Sequence, residues 1–247
     1  MLFTHQNALI TGASRGIGAA TLQLFAAEGA NAWAVCREMS EAFEQRCEAL
    51  AREHGVWIKP LACDLTDATA VGAMFKRIMA DKQPLDILVN NAGYMGEDRM
   101  FQMTPQDDMR HVFDINFFGM VEVSRLATRL MARNRRGAVV NVASVAGLDG
   151  DSRLDYSASK AAVVAATKKM ARELISVGSR VNCVAPGMTD TDMTAGLGDT
   201  IEHEALSRVL LRRKARPEEI ANVIAFLASE KASYVDAQVW RVDGGIV

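Results

Sequence analysis

Thr11-Gly12-Ala13-Ser14-Arg15-Gly16-Ile17-Gly18 follows the apolar run Ala8-Leu9-Ile10 and precedes a helical pattern from Ala19 to Glu28. The run, read as a strand from Asn7 to Thr11, has no polar alternation, which fits a strand buried on both faces of a parallel sheet. Strand, glycine-rich turn and helix together make a phosphate cradle. Glycines permit the sharp turn and the close approach of a pyrophosphate, and the helix start offers free N–H groups and a positive dipole end. The spacing is G-x-x-x-G-x-G rather than the commoner G-x-G-x-x-G. Such a turn alone is equally a plain tight turn, but its position directly after the first strand favours a nucleotide.

Outward from this turn, strands and helices alternate. Asn31 to Cys36 reads as a second strand. Dinucleotide folds commonly place an acid about 20 residues past the glycine turn, on the adenosine ribose. Here the strand ends Val35-Cys36-Arg37, and Arg15 lies inside the turn. Two guanidinium groups suit a 2′-phosphate, so the expected cofactor is NADP(H). Glu38 leaves NAD open, and two solvated arginines are the bland alternative. Ser40 to His54 is an amphipathic helix and Val56 to Ala62 a third strand. Asp64 stands at that strand's carboxyl end, for an adenine amino group or simply in a turn. Asp67 suits the cap of a helix reaching Asp81.

Leu85 to Val89 is the fourth strand, followed by Asn90-Asn91-Ala92-Gly93. That quartet is either a turn or a source of amides for a ribose and for the strand backbone. Met95, Met100, Phe101 and Met103 are candidates for a substrate wall, with core filler as the plainer role. Thr104 as N-cap and Pro105 at the first helical position open a long helix. Arg133 to Arg136 and Gly137 close it, basic charge and a glycine stop at a C-terminus. Asn116 inside that helix implies a distortion or a task. A fifth strand, Ala138 to Ala143, ends at Ser144, and Leu148 to Asp155 is a charged loop.

From Tyr156 a helix runs to about Val177, rich in small residues (Ala158, Ala161, Ala162, Ala165, Ala166) that suit a subunit contact. Arg180 to Ala185 is a sixth strand, followed by Pro186-Gly187-Met188-Thr189. Asp199 to Arg213 is charged and helical, a candidate mobile flap. A helix from Pro217 through Ser229 and a last strand from Gln238 to Val242 complete the chain. The expected fold is α/β: one doubly wound Rossmann-type domain, residues 1–247, with a mostly parallel seven-stranded sheet flanked by helices.

Composition agrees with one such domain. The 247 residues are 49% hydrophobic and 23% charged, with net charge −2. No basic footprint points to nucleic acid. Four cysteines lie outside metal spacing and read as small core residues, so no metal is expected. The chain start lacks a charged segment followed by an apolar run, and no stretch of about 20 apolar residues suits a bilayer. The expected location is the cytoplasm.

Tyr156 and Lys160, four apart, share one helix face. An ammonium beside the phenol favours the phenolate, which predicts a tyrosine pKa below its usual 10 or so and a group able to exchange protons near neutrality. Alone, the pair is as well a surface pair.

Thr11-Gly12-x-x-x-Gly16-x-Gly18, Asn90-Asn91-Ala92-Gly93, Asn116, Ser144, Tyr156-x-x-x-Lys160, Pro186-Gly187 and Asp243-Gly244-Gly245 occur in this order. Together they resemble the short-chain dehydrogenase/reductase family over essentially the whole chain, most nearly its 3-oxoacyl-(acyl-carrier-protein) reductases. The resemblance implies that Tyr156 protonates a carbonyl oxygen and that Lys160 holds the nicotinamide ribose and lowers the tyrosine pKa. It implies that Ser144 bonds the substrate oxygen and that Asn116 holds a water relaying protons to Lys160. It places Gly12, Ser14, Arg15, Gly16, Ile17, Gly18, Arg37, Asp64, Leu65, Asn90, Ala92, Gly93, Tyr156, Lys160, Pro186, Gly187 and Thr189 at the cofactor. It also implies a homo-tetramer.

Two departures stand out. Asp236-Ala237 occupies the place of Thr-Gly in relatives, and the loop Asp149 to Asp155 is charged. Arg135 matches one arginine used for carrier-protein docking, but Val177 stands where a second would be. The expected substrate is a 3-oxoacyl thioester on acyl carrier protein or CoA; the alternative is another ketone or secondary alcohol, such as a sugar, polyol or secondary metabolite. From other classes, the alternatives are a non-catalytic NADP(H)-binding sensor and a methyltransferase of similar fold. The second gives Tyr156 and Lys160 no purpose.

Overall fold

The computed structural model describes residues 1–195 and 199–247. Among them seven strands form one sheet in the order β3-β2-β1-β4-β5-β6-β7. The strands are β1 (Asn7–Thr11), β2 (Asn31–Cys36), β3 (Ile58–Ala62), β4 (Ile87–Asn90), β5 (Gly137–Val142), β6 (Ser179–Pro186) and β7 (Val239–Val242). Every pairing is parallel. The helices are α1 (Gly16–Ala27), α2 (Glu41–His54), α3 (Ala68–Ala80), α4 (Gln106–Phe113), α5 (Met120–Asn134), α6 (Ala146–Asp149), α7 (Leu154–Leu174), α8 (Asp199–Ser207) and α9 (Pro217–Ala228).

The inner strands of the sheet are buried on both faces, as the run in β1 requires, while the edge strands β3 and β7 carry exposed residues. Ala8 and Ile10 pack with Leu22, Phe25, Ile220 and Ile224 on one side. Leu9 points the other way, to Trp33, Phe75, Leu88 and Val123. Burying one such aliphatic side chain contributes about 1.5–3 kcal/mol. The chain runs outward from β1 to β2 and β3, then returns to place β4 on the other side of β1. That reversal opens a crevice at the carboxyl ends of β1 and β4, the position where open α/β sheets bind ligands.

Several boundaries differ from the sequence reading. Helix α1 begins at Gly16, because the turn runs straight into it and Ala19 N–H reaches Arg15 O at 3.2 Å. Pro105 takes the N-cap place of α4, and the Thr104 hydroxyl donates instead to Met100 O. The long helix is interrupted by a π-helical segment, Asp114–Gly119, centred on Asn116, which is the local distortion that this residue implied. It ends at Arg135, in the left-handed region with φ 49°, while Gly137 already starts β5. The charged loop contains α6, and α7 begins at Leu154, two residues before Tyr156. Helix α8 stops at Ser207. Ala237 adopts φ 58°, a conformation that suits the glycine of relatives better than an alanine.

Candidate active site

A cleft of about 920 Å³ opens at the crevice. Gly12, Ser14, Arg15, Gly16, Ile17, Arg37, Asp64, Leu65, Ala92, Gly93, Ser144, Tyr156, Lys160, Pro186, Gly187 and Thr189 all line it. Gly18, Asn90 and Asn116 do not.

The glycine turn is held from β4. Thr11 Oγ1 accepts from Asn91 N–H at 3.0 Å and Ala92 N–H at 3.1 Å. Asn91 Nδ2 donates to Thr11 O at 3.0 Å and Gly12 O at 3.1 Å. The pair is reciprocal, so the ends of β1 and β4 are locked together; the amide-to-strand role of the Asn90-Asn91 quartet falls to Asn91. Gly12 has φ +65°, and a Cβ there would lie 2.9 Å from Ala92 Cα. Helix α1 has no side-chain cap. Among the described residues, the N–H groups of Ser14 and Arg15 meet no acceptor at hydrogen-bonding geometry. An uncapped helix start with spare donors facing a cleft is suited to an anion.

Where the cleft meets the end of β2, Arg37 Nε lies 3.3 Å from Glu38 Oε1. Arg15 Nη1 lies 3.3 Å from Asp192 Oδ2. All four side chains are well exposed, so these pairs are weak and either arginine is free to turn to a phosphate. Asp64 Oδ1 accepts from Thr66 N–H at 2.9 Å and its hydroxyl at 2.7 Å. These bonds hold its carboxyl below the usual range.

Tyr156 and Lys160 sit on the buried face of α7, 6% and 4% exposed. Lys160 Nζ donates to Val142 O at 2.9 Å and lies 5.8 Å from the Tyr156 ring centre. Burial brings its pKa down to about 8. For Tyr156 the expectation is corrected. Burial raises its pKa, and the counteracting groups are the Ser144 hydroxyl, by hydrogen bond, and the Arg153 charge. The physical reason is that desolvating a phenolate outweighs an ammonium that is itself turned toward a strand carbonyl.

Asn116, 2% exposed, uses its amide fully. Oδ1 accepts from Tyr94 N–H at 2.8 Å; Nδ2 donates to Tyr94 O at 2.8 Å and to Ser159 Oγ at 2.9 Å. The π segment thereby clamps the loop after β4 to α7. A Cβ on Gly93 would come within 3.2 Å of Lys160 Nζ and 3.5 Å of Asn116 Oδ1, so that glycine keeps the two groups adjacent.

The Asn90 side chain is engaged elsewhere. Its Nδ2 donates to Ser124 Oγ and Asn141 Oδ1, both at 2.8 Å, and Asn141 Nδ2 continues to Thr167 Oγ1 at 2.9 Å. This buried chain fixes the registry of α5, β4, β5 and α7, and the side chain points beneath the sheet end rather than into the cleft. Of the proposed substrate wall only Met95 lines the cleft, joined by Met188 and Met193, while Met100, Phe101 and Met103 are exposed. Arg153, in the charged loop before α7, is 17% exposed at its side chain. It donates to Gly96 O at 2.7 Å and pairs with Asp98 at 3.3 Å. Among the described residues no cluster of His, Cys, Asp and Glu is placed to hold a metal. No helix there is long and apolar enough to cross a membrane.

This combination of sheet reversal, glycine turn and buried Tyr–Lys pair defines a dinucleotide-dependent oxidoreductase of Rossmann type, and comparison with known proteins agrees. A short-chain dehydrogenase family model described as enoyl-(acyl carrier protein) reductase matches residues 12–247. The chain is 38% identical over 242 residues to the 3-oxoacyl-(acyl-carrier-protein) reductase of Thermotoga maritima, covering 97% of this chain and 96% of that one. It is 39% identical over 245 residues to the Staphylococcus aureus protein of the same name, covering 98% of each. A crystal structure of 3-oxoacyl-(acyl-carrier protein) reductase from Brucella melitensis superposes with a TM-score of 0.91 at 33% identity, covering 99% of this chain and 92% of that one. The chain belongs to the short-chain dehydrogenase/reductase family and is an oxidoreductase acting on CH–OH donors. The family binds a nicotinamide cofactor. The cleft fits one: Gly12 and Gly18 leave no Cβ where the turn crosses β4, and spare N–H groups stand at α1.

Proposed function

We propose that residues 1–247 act as one domain that reduces a 3-oxoacyl thioester to its 3-hydroxy form with NADPH. The observation that carries this reading is a buried phenol, held in its protonated form by burial, beside the Ser144 hydroxyl at a dinucleotide-sized cleft. A protonated phenol is what carbonyl reduction requires. The bound reduced nicotinamide supplies the hydride for the carbonyl carbon. Tyr156 gives its proton to the carbonyl oxygen, and Ser144 donates a hydrogen bond to the same oxygen as negative charge develops. Lys160 holds the ribose hydroxyls, and Asn116 fixes the α7 end of the site. Arg15 and Arg37 take the 2′-phosphate, which favours NADPH over NADH.

Charge along the substrate side of the cleft, at Asp98, Asp151, Arg153 and Arg208, favours a more polar ketone as the second reading, whereas Met95, Met188 and Met193 favour the acyl chain. Turnover of acetoacetyl-CoA against a panel of ketoses, each with NADPH and NADH, separates them. The expected result is acetoacetyl-CoA turnover with NADPH preferred at least about tenfold in kcat/KM, a difference of about 1.4 kcal/mol. Ketose turnover alone transfers the assignment to the second reading. NADPH binding with no turnover on any carbonyl returns the sensor.

The pH dependence follows from the buried amine. Lys160 carries its charge below about pH 8 and loses it above. Tyr156, moved upward, remains protonated past that point. Reductive kcat/KM is therefore expected to be level near neutrality and to fall as pH passes about 8. A profile level to about pH 10, the ordinary tyrosine value, contradicts the role given to Lys160.

We also place the protein in the cytoplasm and expect a homo-tetramer. Ala158, Ala161 and Ala165 form an exposed small-residue stripe on α7, and Phe118, within the π segment, is 58% exposed. Both are surfaces suited to close approach of another copy.

A further inference from the structure

The turn that faces the cleft is braced from behind by a residue outside the family motifs. Arg46, on α2, donates from Nη2 to Ser14 O at 2.6 Å and to Ala13 O at 3.3 Å. Its guanidinium carbon lies 5.3 Å from the centre of the Phe43 ring, one turn earlier on the same helix. Its Nε is buried without an acceptor. Thus a half-buried cation is spent on two carbonyls of a turn, and not on a carboxylate.

The geometry has a directional consequence. In a trans peptide the C=O and the following N–H point in opposite directions, and the described chain has no cis bond. Holding Ala13 O toward α2 aims Ser14 N–H away from α2. Holding Ser14 O does the same for Arg15 N–H. Neither N–H group meets an acceptor among the described residues, and Ser14 and Arg15 both line the cleft. Gly12 and Gly16, at φ +65° and +54°, make the turn pliable on either side. The Gly12 carbonyl is held by Asn91 Nδ2, Ala13 N–H by Val35 O and the Arg15 carbonyl by Ala19 N–H, so among the described residues the Ala13–Ser14 and Ser14–Arg15 peptide units are the ones that depend on Arg46.

We propose that Arg46 is a positioning residue for the cofactor: by fixing the Ala13 and Ser14 carbonyls it presents two backbone donors to the pyrophosphate. The inference rests on the reading of the cleft as a dinucleotide site. Because the pyrophosphate is common to both nicotinamide dinucleotides, the brace acts on NADPH and NADH alike. This separates it from Arg15 and Arg37, which are aimed at the 2′-phosphate.

The test uses the full-length protein and its Arg46→Met and Arg46→Lys variants. Dissociation constants for NADPH and NADH are measured by nucleotide fluorescence, with kcat and KM for acetoacetyl-CoA reduction. In Arg46→Met both constants are expected to rise about tenfold, in line with loss of charge-assisted hydrogen bonds, while kcat at saturating cofactor stays within about twofold. Arg46→Lys keeps the charge and a single donor nitrogen and recovers part of the loss; it also carries the test if the methionine variant does not fold. A rise for NADPH alone overturns the inference, since it means direct contact with the 2′-phosphate. Unchanged constants for both, or a fall in kcat with unchanged binding, overturn it as well. If the unmodified protein binds neither dinucleotide, the cofactor reading itself fails, an outcome distinct from an effect confined to the variants.

Discussion

Tyr156→Phe is expected to bind NADPH as the unmodified protein does and to lose reductive turnover by about 10²–10⁴, the usual contribution of a positioned general acid. That loss corresponds to about 2.7–5.5 kcal/mol of transition-state stabilisation. The phenol is 6% exposed, and its ring packs at the start of α7, so phenylalanine keeps the apolar contacts. Ser144 is the polar side chain that acts on the hydroxyl, and its own small hydroxyl is able to rotate. The change therefore removes the proton donor with little effect on stability. Stopped-flow and steady-state kinetics, paired with NADPH binding, check it. Near-normal turnover removes Tyr156 from its role; lost binding indicates that the ring shapes the cofactor site instead.

The second large effect concerns Gly18. A Cβ there would stand 2.5 Å from Asn91 Nδ2 and 2.8 Å from the Gly12 carbonyl carbon, and closer still to the Gly12 oxygen. Two of these atoms belong to backbone that is fixed by the β1–β4 lock, so no side-chain rotation relieves the overlap. Overpacking of this kind costs about 1–3 kcal/mol and occasionally more. For a chain of this size each kilocalorie lowers Tm by about 2–4 °C. Gly18→Ala should accordingly melt about 5–10 °C lower, and NADPH affinity should fall at least about tenfold as the turn is pushed off α1. Calorimetric melting and cofactor titration measure both. Wild-type values in both would mean that the turn moves freely and that the lock through Asn91 is unimportant.

These two sites also mark what the sequence discloses and what it does not. The strands were legible because their apolar runs, such as Ala8-Leu9-Ile10, are set by local burial on both faces. The disturbance at Asn116 was legible because a poor helix former broke a periodic pattern. The direction of a side chain was less so. Asn90 and Asn91 are adjacent and chemically identical, yet one joins a buried chain to Thr167 while the other laces β4 to the glycine turn. Strand alternation sends them to opposite sides, and only the position of the sheet end decides which side faces the cleft. The Tyr156 pKa failed for another reason. Spacing on one helix announces the nearby ammonium, but desolvation depends on everything that the fold packs around the phenol, which no local spacing reports. Arg46 gave no signal at all, because its partners are backbone carbonyls of a turn 32 and 33 residues away.

The most direct test of hydride transfer at this cleft is an isotope experiment. NADPH deuterated at the transferable position of the nicotinamide ring is mixed with acetoacetyl-CoA and the protein, and the alcohol product is examined by mass spectrometry. One deuterium on the carbinol carbon, absent when Tyr156→Phe replaces the native chain, is the predicted result. Product formed without deuterium, or formed equally well by the variant, would contradict the account.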